Sequence, residues 1–226
     1  ISIEPEKEEY KQNEVVTINA AAEAENYEFA YWQGNLDTTK NQVELVMTDN
    51  MTVKPVFAEI YAKDDFSSKS ESTLGTESNN SNYTLEISNG KYVMSIDEYS
   101  SESSPYSVYS SFGDYEAEDD FFIEYEAEFT LAEGAYGYIF NYENWDNYDV
   151  FKISAAGNYT IGKRVNGSYE KIVDWTENSN INDYQRKNKI SVKKIADSYT
   201  FYVNDKKIDS VQAEFNSDKL VDGFYI

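Results

Sequence analysis

At 226 residues the chain is long enough for one large all-β domain or two smaller ones, each with a real hydrophobic core. Its 42 acidic and 19 basic side chains give a formal charge of −23, which repels phosphate backbones and anionic bilayers, so no nucleic-acid partner is expected. The absence of Cys and His removes disulfides, thiolate metal sites, ordinary zinc sites and Ser-His-Asp chemistry, so any catalysis would rest on carboxylates, Lys or Tyr.

No stretch approaches the roughly 18 consecutive apolar residues of a membrane span, so no membrane insertion is expected. Neither a basic nor an apolar leader segment precedes the first strand after Ile1, and a signal peptide is expected outside this sequence. Short strands are predicted over residues 15–20, 27–32, 43–47 and 52–58, with Asn and Asp between them. A connector follows at 60–63, placing a boundary near residue 62. Residues 67–82 are rich in Ser, Asn, Glu and Thr without periodicity and read as a surface loop. Strands at 83–87 and 92–96 flank Asn89-Gly90, a strong hairpin signal. A Ser-rich loop at 99–104 leads to an aromatic strand at 106–112.

The most regular segment comes next. Phe121, Ile123, Tyr125, Ala127, Phe129 and Leu131 alternate with Glu124, Glu126, Glu128 and Thr130, the period of a strand with one wet face. Strands at 136–141, 148–153 and 159–163, separated by turn-forming residues, complete what reads as a four-strand antiparallel meander. Further strands are predicted at 171–175, 189–195, 199–204, 206–211 and 221–226. The fold class is all-β: a small β-rich unit followed by a β-sandwich or barrel.

Two resemblances sharpen this. Tyr10, Val16, Ile18, Ala20, then Tyr27-x-Phe29-x-x-Trp32-x-Gly34, Met47-x-x-Asn50-x-Thr52-Val53 and Val56-Phe57 resemble the bacterial repeat related to the internalin B-repeat. Asn13 stands where that family usually has a turn Gly, and Asn tolerates the left-handed conformation. The resemblance implies a ubiquitin-like, β-grasp-type module over residues 1–61, found in secreted and surface proteins beside binding or catalytic modules. Trp32 matches its buried core motif.

Asp64-Asp65-Phe66, Gly90-Lys91-Tyr92, Tyr136-Gly137-Tyr138-Ile139-Phe140, Asn147-Tyr148-x-x-Phe151-x-Ile153, Asn188-x-Ile190-x-Val192 and Phe201-Tyr202-Val203-Asn204 resemble the concanavalin A-like lectin/glucanase superfamily, nearest its laminin-G-like and 3-keto-disaccharide-hydrolase-like branches. This implies a jelly-roll sandwich over residues 62–226. In such folds the first strand pairs with a Phe-rich last one, and with the sequence ending at Ile226 that closing strand is expected beyond it.

Candidate sites follow from exposed chemistry. Trp145 lies in a polar turn with Tyr142 and Tyr148 close by, and Trp175 precedes Thr176, Glu177 and Asn178; exposed rings of this kind stack on sugar faces, whereas buried ones would be core lids. Glu124, Glu126 and Glu128 share one face of one strand. They are similar to the alternating carboxylates of concanavalin-like β-glucanases, although a solvated strand that meets Lys or Arg from its neighbours has the same pattern. Calcium is a structural option that the second resemblance brings, with Asp64, Asp65, Asp119 and Asp120 as hard oxygen donors and Asp114 and Glu118 near them, but no EF-hand spacing and no cofactor requirement.

The expected function is non-catalytic carbohydrate binding by a monomeric fragment of a bacterial secreted or cell-surface protein, with a glycan as partner. A carboxylate-dependent glycoside hydrolase and an adhesive spacer that contacts a surface protein are the alternatives.

Overall fold

Alternating apolar residues in the first sixty positions build two small sheets. The computed structural model describes residues 1–60, 62–72, 74, 77–79, 83–96, 108–116, 119–213 and 219–226, with backbone alone at 77–79, 112–116 and 219–220. The loop expected at 99–104, Glu118 and the side chain of Asp114 lie outside what is described. Strands β1 (Ser2–Glu4), β2 (Val15–Asn19) and a fourth, β4 (Gln42–Val46), form an antiparallel sheet ordered β1-β2-β4, while β3 (Tyr27–Gly34) pairs with β5 (Val53–Glu59).

Val16 pairs with Leu45 and turns inward with Ile18 and Ala20, while neighbouring Val15 is exposed, as a period of two requires. Trp32 closes this core at 2% exposure, tilted against Phe29, with its indole N–H donating to Lys40 O at 2.9 Å. Burial of each such aliphatic or aromatic side chain contributes about 1.5–3 kcal/mol. Asn13 has φ 65°, the left-handed conformation expected there.

These residues belong to a compact unit made of Ile1–Tyr61, Asp120–Glu126 and Lys189–Val211. Within it, a four-stranded sheet is ordered β10-β15-β16-β17, from β10 (Phe121–Glu128), β15 (Lys187–Ile195), β16 (Ser198–Val203) and β17 (Lys206–Gln212). Tyr202 Oη on β16 donates to Asp37 Oδ1 at 2.7 Å, and Thr39 Oγ1 donates to Asp205 Oδ1 at 2.9 Å.

The second unit, Ala62–Asp119, Ala127–Asn188 and Gln212–Ile226, begins with β6 (Glu77–Asn79), β7 (Tyr83–Ser88) and β8 (Lys91–Ile96) in one antiparallel sheet. Asn89 and Gly90 both have positive φ, 54° and 69°, the pair a tight hairpin of this twist demands. Its six-stranded sheet is ordered β14-β13-β12-β11-β18-β9, from β9 (Tyr109–Glu116), β11 (Ala135–Asn144), β12 (Asn147–Ser154), β13 (Asn158–Val165), β14 (Ser168–Glu177) and β18 (Lys219–Tyr225).

Two expectations are corrected here. The meander is real from β11 to β14, but β10 does not begin it: β10 pairs with β15 in the four-stranded sheet. Alternation reports that one face is wet and carries no information about the neighbouring strand, so succession in sequence suggested the wrong partner. The strand also stops at Glu128: Phe129 stacks on Tyr136 with centroids 5.6 Å apart, and Leu131 is 68% exposed rather than in the core.

Candidate functional site

Register assigns each side chain of the six-stranded sheet to one of two faces. Tyr138, Phe140, Phe151, Ile153 and Ile161 share one face and are all buried. Ile139, Tyr148, Val150, Lys152 and Tyr225 occupy the other.

The chain bends that second face at one residue. A bulge interrupts the β11–β12 ladder between Phe140 and Asn144, with Asn141 at φ 52°. Asn141 is held there by bonds inside the sheet: its N–H donates to Asp222 Oδ1 at 3.1 Å and its Nδ2 to Asp149 Oδ2 at 3.0 Å, while Tyr138 Oη donates to Asp222 Oδ2 at 2.5 Å. The bulge re-aims Tyr142, and a two-residue turn, Trp145-Asp146, then closes the hairpin.

Four rings meet at this end. Tyr109 and Tyr142 lie 4.4 Å apart by centroid, and Trp145 stands edge-on to Tyr109, Tyr142 and Tyr148 at 5.3, 5.7 and 5.8 Å. Tyr148 is buried beneath them and Trp145 remains 40% exposed. Burial above all, then the hydrogen bond with Tyr109, pushes the Tyr142 phenol above its ordinary value, so it stays a neutral donor and acceptor. Around Trp145 the loop is polar and pre-ordered: Asp146 N–H donates to Asn144 Oδ1 at 2.8 Å, Gly167 N–H to Asp146 O at 3.0 Å, and Asn166 N–H to Asn147 Oδ1 at 3.0 Å. An exposed indole on a fixed aromatic base, beside Asn and Asp side chains, suits the stacking and hydroxyl bonding that sugars need.

Trp175 is also exposed, at 43%, on the edge strand β14. Its neighbour Thr176 pairs with Tyr159 and thus stands level with Ile153, five residues along β12 from Tyr148. That is about 17 Å of strand, so the two tryptophans do not form one site.

The carboxylate row is exposed at Glu124, Glu126 and Glu128. Glu124 Oε2 accepts from Ser191 Oγ at 3.0 Å and lies 3.3 Å from Lys189 Nζ, and Glu128 lies 3.7 Å from Lys91 Nζ. Asp64 and Asp65 each direct one oxygen at a backbone N–H two residues on, at 2.7 and 2.9 Å, and Asp120 accepts from Ala196 N–H at 2.7 Å; Asp119 is exposed. Among the described residues no group of three or more acidic side chains is placed to hold a metal ion.

Tyr109, Lys152, Tyr169 and Tyr225 were not singled out as candidates from sequence. Lys152 Nζ stands 5.0 Å from the Tyr169 centroid and 5.9 Å from that of Tyr225. Burial, then the Tyr225 and Tyr148 phenols, pushes Tyr169 up to about 12. The signal was available in β12, where both alternating sets are apolar: Tyr148 and Val150 on one side, Phe151 and Ile153 on the other. Such a strand is covered on both faces, so a Lys within it is not an ordinary solvent residue.

Comparison with known proteins agrees with both halves of this description. Residues 2–61 match the divergent InlB B-repeat domain family. The carbohydrate-binding module CBM66 from Bacillus subtilis aligns over 68% of this chain and 87% of its own, with TM-score 0.51 and 14% identity. At that identity the likeness concerns the fold, an all-β, concanavalin-like jelly roll. A family 16 endo-glucanase from Bacteroides ovatus aligns over 74% of this chain and 86% of its own, with TM-score 0.43 and 12% identity. No curated protein matches the chain.

Proposed function

We propose that this chain is a non-catalytic carbohydrate-binding fragment of an exported bacterial protein, acting as a monomer and without a required metal. The observation that carries this reading is the exposed indole of Trp145 fixed on Tyr109, Tyr142 and Tyr148 beside the amides and carboxylate of the 144–147 turn. Export is supported by the match of residues 2–61 to a divergent InlB B-repeat, the kind of module expected outside the cell.

The test is a glycan-array screen of the whole chain, with calcium and with chelator, followed by titration of Trp fluorescence with any bound glycan. Only Trp145 and Trp175 are exposed among the three tryptophans, because Trp32 is buried, so a change in emission reports on those two. Trp145→Ala is expected to weaken binding by about tenfold or more, the cost of removing a central aromatic anchor. Chelator is expected to change neither affinity nor melting temperature. Silence across the array, or a bound glycan whose affinity is the same in Trp145→Ala, would overturn the assignment to this site.

A further inference from the structure

The face that carries the aromatic cluster also bears a half-buried cation, Lys152, in a chain of formal charge −23. One register row crosses five strands as Thr160, Lys152, Gly137, Tyr225 and Tyr109. Gly137 has no side chain to separate its neighbours in that row, and Lys152 Nζ comes within 5.9 Å of the Tyr225 centroid while standing 5.0 Å from that of Tyr169. Two ring faces attract an ammonium but give its three N–H donors no acceptor. Among the described residues, Lys152 has no carboxylate or carbonyl within bonding distance. Burial and the nearby Lys171 hold its pKa below the ordinary lysine value, as expected of a partly desolvated cation without a counter-charge.

Nearby charges fit the same picture. Arg164 is on this face opposite Tyr169, whereas Asp149 and Glu170, paired with Phe140 and Lys163, fall on the other. Asp174 Oδ1 pairs with Lys171 Nζ, at 3.0 Å, on the edge strand. Tyr169 is 43% exposed and lies so closely over Gly162 that a Cβ there would be 2.1 Å from its hydroxyl, which leaves an accessible ring beside the ammonium.

Building on the carbohydrate-binding reading, we propose that this face selects anionic glycans, with Lys152 pairing the carboxylate or sulfate of a sugar that lies against Tyr169. A neutral sugar would leave the ammonium without its counter-charge, whereas an acidic one supplies both charge and acceptors.

The experiment is an array of acidic glycans, each matched to a neutral counterpart, screened at low and high salt, with the best binder titrated against Lys152→Met, Lys152→Arg and Trp145→Ala. The expected result is preference for acidic members, weakened by salt, with affinity reduced about tenfold or more in Lys152→Met and largely kept in Lys152→Arg. Whether the hits carry carboxylates or sulfates identifies the anion. Should Lys152→Met fail to fold, methyl-esterifying the carboxylate ligand, or desulfating the sulfated one, removes the same charge from the other side and should lower affinity equally. Binding confined to neutral glycans, or an acidic glycan bound equally by Lys152→Met, would overturn the inference and leave the carbohydrate-binding reading intact. Binding to no member would overturn both.

Discussion

Asp149 sets charge against burial. It is 8% exposed, and burial pushes its carboxyl above the ordinary carboxylate value of 3.8, with the Asn141 hydrogen bond and the Lys163 charge opposing more weakly. Between 3.8 and the raised value the folded protein holds this proton more tightly than the unfolded chain does. Stability from this group is therefore greatest on the acid side, falls as pH rises through that window, and is fully lost above it. Asp149→Asn keeps an oxygen to accept from Asn141 Nδ2 and removes the charge, so the variant should be more stable than the parent at neutral pH and should lose the parent's decline across the window. Urea midpoints over a pH series test this, and an identical pH profile in both proteins would show that Asp149 is not the group responsible. The same residue marks a limit of sequence reading. Nothing local announces that Asn141, eight residues earlier, bends the chain to bond Asp149.

At the scale of elements, what could be read was what depends on neighbours in sequence. The Asn89-Gly90 hairpin, the inward run Val16, Ile18 and Ala20, and the β11–β12–β13 succession follow from turn chemistry and period alone. The pairing of β10 with β15 and the insertion of β18 between β11 and β9 depend on distant residues, and a strand's own pattern does not encode them. The candidate site was half legible for the same reason: Tyr142, Trp145 and Tyr148 belong to one hairpin, while Tyr109, Tyr169 and Tyr225 reach the same face from three other strands. The β10 carboxylates show what such pairing does to a catalytic motif. Glu124 already accepts from Ser191 and faces Lys189, so Glu124→Gln should cost under about 1 kcal/mol, the usual worth of a partly exposed ion pair. Neither Glu124→Gln nor Glu128→Gln should alter glycan binding, and the parent protein should release no reducing ends from a bound glycan. Turnover that either substitution abolishes would favour the glycoside-hydrolase reading instead.

At the scale of the molecule, the first sixty residues share a compact unit with the four-stranded sheet, and the groups that join them are specific. Tyr202 is fully buried, and burial and the Asp37 charge both push its phenol upward, so it remains a proton donor to Asp37 Oδ1 at 2.7 Å. Lys207 Nζ holds the other Asp37 oxygen at 3.2 Å, Thr38 Oγ1 and Thr39 Oγ1 both donate to Asp205, and Lys193 stands 4.5 Å from the Tyr31 ring. A freely jointed spacer would have no reason to bury Thr38 and Thr39 where they donate to Asp205. Tyr202→Phe removes one donor to a charged acceptor and should destabilise this unit by about 1.5–3 kcal/mol. Because the bond spans the repeat and the sheet, the loss should appear as faster amide exchange in residues 35–41 as well as in β16. Exchange that accelerates in β16 alone would mean that the repeat folds and opens independently of the sheet it touches, and that Asp37 reports contact without coupling.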